Sequence, residues 1–218
     1  MYTFLKRLID IVLAGTALIL LLPLFIPVII ILLLTGEHRV FYLQERLGYK
    51  NRPFNIVKFA SMLKDSPNMG TGIITVRNDP RVTRFGKILR FTKINELPQI
   101  INVLKGEMSI VGPRPLVEKS VALYPPEIKD KIYDAKPGMT GIGSLVFRDE
   151  EKIISGGTDP REIYKLVYLH KGALEMWYHD NASLLTDFKI IFLTAWSIVF
   201  PRNSLQKKAF RGLPEKSF

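Results

Sequence analysis

An uncharged apolar run near the start of the chain constrains the fold more than any other feature. It extends for 24 residues, from Ile11 to Leu34, which is long enough for a helix to cross the hydrocarbon core of a bilayer. Lys6 and Arg7 precede the run, as basic residues precede the apolar part of a secretory signal peptide. A signal peptide is disfavoured because the run is too long and no small-residue cleavage pattern follows it. The segment therefore predicts a membrane helix.

Two features of this segment leave its path open. Pro23 and Pro27 lie inside the run, and each proline removes a backbone donor and disfavours straight helix. Basic residues also flank both ends, and the positive-inside bias cannot place both ends in the cytoplasm if the helix crosses once. A helix that breaks near the prolines and returns satisfies both observations, whereas a simple spanning anchor satisfies neither. The basic residues beyond the run are Arg39, Arg46, Lys50, Arg52 and Lys58.

The composition excludes several kinds of site. The chain of 218 residues contains no cysteine and three scattered histidines, which removes disulfides, thiol catalysis, iron–sulfur clusters and the usual zinc sites. The formal net charge is +11. A strongly basic surface favours anionic partners: nucleic acid, phosphorylated ligands or acidic lipid headgroups.

The segment after residue 36 predicts one compact polar domain with short strands and several helices. Leu97, Ile100 and Leu104 follow helical spacing, Gly106 ends that run, and Asn95 stands where an N-cap belongs. Pro98 is tolerated in a first helical turn. The other predicted segments are extended chain at 39–43 and 54–59, and helix at 83–90, 125–134, 160–170 and 184–199.

The apolar stripe from Leu184 to Val199 has two interpretations. It is either a core helix followed by a solvated basic tail, or an interfacial helix lying on anionic lipid. In the second interpretation Trp177, Tyr178 and Trp196 lie near the depth of the headgroups. The basic residues that flank the stripe are Lys189, Arg202, Lys207, Lys208 and Arg211.

The densest basic segment runs from Arg77 to Lys105 and holds seven basic residues against two acidic ones. Arg84, Lys87 and Arg90 are three residues apart and share one side of a helix. Such a row suits phosphate groups, because guanidinium groups bind oxyanions bidentately. A solvated helix face is the plainer interpretation of the row alone. Nucleic acid is disfavoured, since the segment carries no nucleic-acid motif and the domain is attached to a membrane.

Glu96 is a single carboxylate at a helix start, directly beyond this basic row. Neighbouring positive charge favours its ionised form. It is a candidate ligand for Mg²⁺, which takes oxygen ligands and often shares them with substrate phosphates. Spacing alone favours the simpler role of complementing the helix dipole.

Taken together, these segments resemble the bacterial sugar transferase family, the monotopic phosphoglycosyl transferases of glycan assembly. The resemblance covers nearly the whole chain in the family's order, and its long central string is highly specific. The length resembles the small class, with a catalytic core and no added transmembrane domain. The matching stretches are FLKRLID at 4–10, NDPRVTRFG at 78–86, NELPQIINVLKGEMSIVGPRP at 95–115, KPGMTG at 136–141 and the segment 178–195.

This resemblance implies a reaction and a location. A sugar-1-phosphate moves from a nucleoside diphosphate sugar, usually a UDP-sugar, to polyprenyl phosphate, with release of UMP and with Mg²⁺ as cofactor. The implied fold is α-rich α/β: a re-entrant membrane helix-hairpin at 1–36, then a cytoplasmic catalytic domain at 37–218 with short strands and interfacial amphipathic helices. Expected partners are the UDP-sugar, polyprenyl phosphate and the lipids of the inner membrane, but not nucleic acid. The sugar and the pathway stay open, as does assembly into a homodimer.

The resemblance also implies roles for particular residues. The Asp-Glu dyad of the family falls on Asn95 and Glu96; its Asp forms a covalent phosphosugar intermediate, and its Glu supports metal and phosphate. Arg90 matches an arginine expected near the phosphates. Arg114, beside Pro113, matches a residue expected to meet the nucleotide, and Arg148 matches a distal arginine on the substrate side. The expected substrate-binding set is Arg114, Pro113, Lys58, Arg81, Arg84 and Arg148.

Three departures from the family's pattern affect these expectations. Asn95 replaces the nucleophilic aspartate, and a neutral amide is a very poor nucleophile at phosphorus. Either Glu96 serves as nucleophile or supports direct transfer, or the chain is a catalytically impaired binding or scaffold subunit, or an engineered substitution traps substrate. Ala60 stands where the family has a lysine. Leu22 replaces the serine of the Ser-Pro break, so that Pro23 still supplies a kink but no serine hydroxyl satisfies the freed backbone; Pro27 is the candidate to compensate.

Overall fold

The fold is mixed α/β and helix-rich. The computed structural model describes residues 1–70, 75, 78–156, 159–200 and 209–215. The helices of the described part are α1 (Tyr2–Leu34), α2 (Arg84–Phe91), α3 (Ile100–Lys105), α4 (Glu118–Val121), α5 (Pro126–Lys131), α6 (Ile142–Val146), α7 (Glu150–Ser155), α8 (Pro160–Asn181) and α9 (Leu184–Val199). Short 3₁₀ turns occupy Tyr49–Asn51, Ser66–Asn68 and Ile94–Gln99.

The described strands form two small sheets. β1 (Phe41–Leu47) and β2 (Pro53–Phe59) form an antiparallel hairpin, in which Tyr42 pairs with Lys58. β3 (Ser109–Val111) and β4 (Gly138–Thr140) are parallel. The predicted extended segments at 39–43 and 54–59 are therefore confirmed as the hairpin, with β1 displaced toward the C-terminus.

Helix α1 is continuous through Pro23 and Pro27. The chain therefore stays helical where a break was predicted, although each proline removes one backbone hydrogen bond and can bend the helix axis. By length and composition α1 could cross a membrane. Its two halves both pack on the domain, Ala14 against Ile100 and Val103, and Phe25 with its neighbours against Phe59 and Leu89.

The N-terminal turns of α1 are bound to the domain through polar side chains. Lys6 donates to Asp187 at 2.7 Å, and Tyr2 and Tyr178 donate to the same carboxylate at 2.9 and 2.6 Å. Arg7 donates to the carbonyl oxygens of Val103 and Leu104 at 2.6 and 2.9 Å, at the end of α3. The two basic residues counted as a membrane flank therefore bind protein groups.

The main core lies between the C-terminal helices. Ile190 of α9 is fully buried in it, together with Val167 and Leu174 of α8. The opposite face of α9 exposes Leu185, Phe188 and Phe192, and Ile198 is exposed near the end of the helix, so that the helix joins the core on one side and leaves an apolar side open. Tyr178 is buried and its hydroxyl donates to Asp187, so its side chain presents no surface to lipid.

Candidate functional site

The carboxylate of Glu96 lies in the turn Ile94–Gln99, between α2 and α3. Lys93 opens this turn with a left-handed backbone (φ 61°). The helix predicted to begin at Asn95 instead begins at Ile100, after a 3₁₀ turn that contains Pro98. Asn95 is therefore not the N-cap that its position suggested: it lies inside the turn and is 5% exposed.

Glu96 Oε1 has two cationic neighbours. Lys58 Nζ, from β2, donates to it at 3.0 Å, and Arg114 Nη2, from the loop after β3, lies 3.6 Å away. Each of these three side chains retains some solvent exposure. The structure therefore brings together three of the residues expected at the site, across three separate elements.

Asn102 of α3 fixes the strand that carries Lys58. Its side chain accepts from Val57 N at 3.0 Å and donates to Asn55 O at 2.8 Å, and Glu107 accepts a further bond at 2.8 Å. Asn102 is buried. Because buried amides in such networks tolerate little displacement, β2 and the Glu96 turn are held in a fixed register.

The loop that carries Arg114 is equally constrained. A Cβ on Gly112 would lie 2.3 Å from the carbonyl oxygen of Lys136, so only glycine permits this close approach. Buried Pro113 accepts from Gly138 N at 2.9 Å, and Tyr133 Oη donates to Arg114 O at 2.9 Å. The KPG and GPRP motifs thus pack on one another and aim Arg114 at Glu96.

Burial and charge act in opposite directions on this cluster. Burial would raise the pKa of Glu96, but the positive charges of Lys58, Arg114 and Lys93 outweigh it and hold that pKa well below its ordinary value. Burial lowers the pKa of Lys58 to about 8, although Glu96 opposes the shift. Glu96 is therefore ionised at neutral pH, and Lys58 is a cation that loses its proton more readily than an ordinary lysine.

Asn95, which directly precedes Glu96 in the sequence, carries a neutral amide oxygen. Its Oδ1 is buried and has no hydrogen-bond partner among the described residues. Within the described part of the chain no three acidic or histidine side chains cluster as a metal cage. Mg²⁺ commonly uses only one or two protein carboxylates together with substrate phosphates. The orphaned carbonyl of Asn95 and the ionised Glu96 fit that donor chemistry.

The arginines of the NDPR segment and of α2 lie in different surroundings. Arg81 is buried and binds Asp79 at 2.6 and 2.8 Å and the carbonyl oxygens of Ser66 and Met69. A substrate would reach Arg81 only by replacing these bonds. Arg84 is exposed on α2, and half-buried Arg90 places Nη1 3.8 Å from the sulfur of Met62. Arg77, the first residue of the predicted basic segment, lies outside the described residues.

Arg148, the distal arginine of the expected set, follows α6. It is half-buried, and its Nη1 is buried without a hydrogen-bond partner among the described residues. The roles of Arg148, Arg81, Arg84 and Arg90 in substrate binding stay predictions.

Sequence reasoning missed a second group of charged residues beside Arg114. Lys171 of α8 donates to Glu150 of α7 at 2.7 Å. Burial would raise the pKa of Glu150, but the positive charges of Lys171, Arg114 and Lys93 together outweigh it and lower that pKa. Glu175, one helical turn beyond Lys171, is buried, and burial raises its pKa to about 7. Lys171 and Glu175 stand at i and i+4 in α8, a spacing that gave no sign of burial.

Comparison with known proteins assigns the chain. The family model described as bacterial sugar transferase matches residues 1–201. The exopolysaccharide production protein ExoY of Sinorhizobium fredii is 34% identical over 213 residues, which cover 91% of this chain and 87% of the relative. The UDP-galactose-lipid carrier transferase of Erwinia amylovora is 35% identical over 205 residues, which cover 88% of this chain and 39% of the relative.

A third relative aligns over a similar share of both chains. The undecaprenyl-phosphate glucose phosphotransferase of Komagataeibacter xylinus is 35% identical over 204 residues, which cover 91% of this chain. This chain spans about 36% of that relative's length. Since the family model covers most of the chain and the ExoY relative aligns over most of its own length, the chain belongs to the bacterial sugar transferase family.

Proposed function

We propose that this protein transfers a sugar-1-phosphate from a UDP-sugar to undecaprenyl phosphate, releasing UMP, in the first membrane step of glycan assembly. The observation that carries the proposal is the convergence of Lys58, Glu96 and Arg114 on one partly exposed point. Phosphoryl transfer needs positioned cations and an oxygen ligand for a metal ion more than it needs covalent chemistry. The names of the relatives supply the acceptor and the class of donor.

Each residue of the cluster has a distinct task in this proposal. Arg114 binds the diphosphate through its planar guanidinium, and Lys58 supplies a second positive charge. Glu96 holds Mg²⁺, with the carbonyl oxygen of Asn95 as the second candidate ligand. When bound, Mg²⁺ neutralises charge on the diphosphate and polarises the phosphorus that is attacked. Glu96 must then give up its present contacts, which releases Lys58 and Arg114 to the phosphates.

The distribution of apolar surface supports a site at the cytoplasmic face of the inner membrane. Helix α2 exposes Ile88 and Phe91, the latter 90% exposed, beside the cationic Arg84 and Lys87. An apolar side flanked by basic residues is typical of helices that lie in anionic lipid. The open side of α9 and much of α1 add to this surface.

The packing of α1 supports a re-entrant path. Residues before and after Pro23 contact the same domain: Ala14 packs beside Val103, and Leu32 packs beside Phe59 and Leu89. A straight crossing would carry one half of the helix away from a domain that stays on one side. Re-entry keeps both chain ends on the cytoplasmic face, as the flanking positive charges favour.

Position 95 favours a second candidate function, that of a catalytically impaired homologue which binds substrate within a glycan assembly complex. Asn95 cannot form the acyl phosphate that an aspartate forms, because its side chain is a neutral amide and offers no carboxylate oxygen as nucleophile. Under the leading proposal Glu96 either attacks phosphorus itself or supports direct attack by the polyprenyl phosphate.

One experiment separates the two candidates. The full chain, purified in detergent, is incubated with Mg²⁺ and a panel of UDP-sugars, with and without undecaprenyl phosphate, and UMP is measured. Release of UMP that requires the lipid supports transfer, and Glu96→Gln should abolish it while the exposed Glu118→Gln leaves it unchanged. Binding of UDP-sugar without UMP release from any donor would support the impaired homologue.

A further inference from the structure

Arg114 feels the negative charge of two carboxylates, Glu96 and Glu150, and forms a close ion pair with neither. Its only ion pair within the described residues is the 3.6 Å contact with Glu96. Glu150, which follows α6 at the start of α7, is near enough to act on Arg114 electrostatically: burial would lower the pKa of the guanidinium, whereas Glu96 and Glu150 both raise it. A guanidinium caught in a bidentate pair with a fixed carboxylate would be lost to the diphosphate. Something must therefore keep Glu150 from capturing Arg114.

Lys171 forms the ion pair with Glu150 that Arg114 would otherwise form. Lys171 Nζ lies 2.7 Å from Glu150 Oε2, closer than the 3.6 Å ion pair of Arg114 with Glu96. Lys171 is 3% exposed, and its ammonium lies 5.0 Å from the ring centre of Tyr168 and 5.8 Å from that of Phe147. Two aromatic rings and a short ion pair fix this cation in place.

The cost of burying Lys171 argues for a specific role. A buried ion pair stabilises a fold weakly, because desolvation offsets most of the attraction. Burial indeed lowers the pKa of Lys171, while Glu150 favours the charged form. Glu175 also faces Lys171, but its raised pKa leaves it partly protonated near neutral pH, so that Glu150 is the principal partner.

We propose that Lys171 is a positioning residue, which neutralises Glu150 and thereby keeps the Arg114 guanidinium available to the diphosphate of the substrate. The inference rests on the proposed function, because it takes a nucleoside diphosphate as the ligand of Arg114. It adds α7 and α8 to the site, although neither carries a residue of the family's central string.

The test measures binding of UDP, the part that all UDP-sugars share, by calorimetry on the full chain in detergent with Mg²⁺. Lys171→Met should weaken binding about tenfold, a loss typical of outer partners of a charged site, because Glu150 then captures Arg114. Glu150→Gln should bind UDP at least as tightly as the wild type. The double variant should recover to within about threefold of the wild type.

Rescue distinguishes positioning from support of the fold. If the pair were only structural, both single variants would weaken binding in proportion to their loss of thermal stability, and the double variant would be no better. That result, or unchanged binding in Lys171→Met, would overturn the inference. Lys171→Arg should retain binding, and the exposed Lys165→Met is the matched control on α8.

The wild type separates this inference from the function on which it rests. A wild type that binds no UDP and releases no UMP would overturn the proposed function, and the inference with it. A wild type that does both, with no rescue in the double variant, would overturn the inference alone. If Lys171→Met does not fold, weakened UDP binding by Glu150→Gln is sufficient to refute it.

Discussion

Lys58 Nζ and Glu96 Oε1 meet at 3.0 Å, and this contact joins strand β2 to the turn that precedes α3. The two residues stand 38 positions apart in the chain. Glu96 is ionised because of Lys58 and Arg114, and Lys58 retains its charge against burial because of Glu96. A metal ion and a diphosphate can therefore replace this ion pair, the metal ion at Glu96 and the diphosphate at Lys58.

Replacement of Lys58 should weaken nucleotide binding for two reasons. Lys58→Met removes a cation from the site, and it also leaves Arg114 as the sole ion-pair partner of Glu96 among the described residues. Both effects oppose binding of an anion, and we expect UDP affinity to fall about tenfold. Calorimetry with UDP and Mg²⁺ measures the loss. The exposed Lys129→Met of α5 should bind as the wild type does; equal losses in both variants would indicate a general charge effect.

Removal of the Asp187 carboxylate should loosen the start of α1. Asp187 is buried and accepts from Tyr2, Lys6 and Tyr178. Asp187→Asn keeps the shape but removes the charge that three donors face, and we expect a loss of about 2 kcal/mol in the free energy of unfolding. Denaturant unfolding in detergent measures it. The exposed Asp180→Asn is the control, and limited proteolysis of α1 should increase only in Asp187→Asn.

Local pattern predicts the elements of this fold well and its tertiary pairs poorly. The helices at 84–91 and 184–199 and the hairpin strands follow from spacing, because each buries one side along its own length. The pairing of Lys171 with Glu150 depends on how α7 packs on α8, which no local spacing encodes. The family's pattern identified Lys58, Glu96 and Arg114 as site residues, but not that both cations would converge on one oxygen of Glu96.

The error at Asn95 has a local cause. Asn before a run of helical spacing is a common N-cap, but the chain forms i to i+3 turns around Pro98 and begins the α-helix five residues later. Pro98 fits either conformation, so its presence does not distinguish them. The Asn95 side chain is therefore buried inside the turn and does not cap the α-helix.

Stability should change with pH through Glu175. Burial raises its pKa to about 7, against an ordinary value of 4.5. Between these values the folded protein holds a proton that the unfolded chain has lost, so this group's contribution to stability is full below pH 4.5 and is lost as pH rises through 7. Glu175→Gln keeps a neutral side chain of the same shape. It should be more stable than the wild type at pH 8, by up to about 3 kcal/mol, and similar to it at pH 5.

The comparison of wild type and Glu175→Gln needs thermal unfolding at both pH values. Other groups titrate equally in the two proteins, so the difference between them isolates this carboxyl. The exposed Glu162→Gln of the same helix should show no such difference. Glu175→Gln that is less stable than the wild type at pH 8 would mean that the ionised carboxylate is required by its neighbours, the backbone N–H groups of Arg114 and Gly143.

Restoration of the family's aspartate tests the chemistry at position 95 directly. Asn95→Asp places a carboxylate beside Glu96 without a change of volume, and the cations Lys58 and Arg114 are close enough to Glu96 to offset the added charge. We expect transfer to be retained or raised, because an aspartate can attack phosphorus whereas an amide cannot. Asn95→Ala, which has neither the amide oxygen of asparagine nor the carboxylate oxygens of aspartate, is the matched control. Intact-mass measurement after incubation with UDP-sugar alone should detect a covalent sugar-phosphate on Asn95→Asp and none on Asn95→Ala. A sharp loss of UMP release in Asn95→Asp would instead show that the amide itself is needed, as a neutral oxygen ligand or as a donor to the diphosphate.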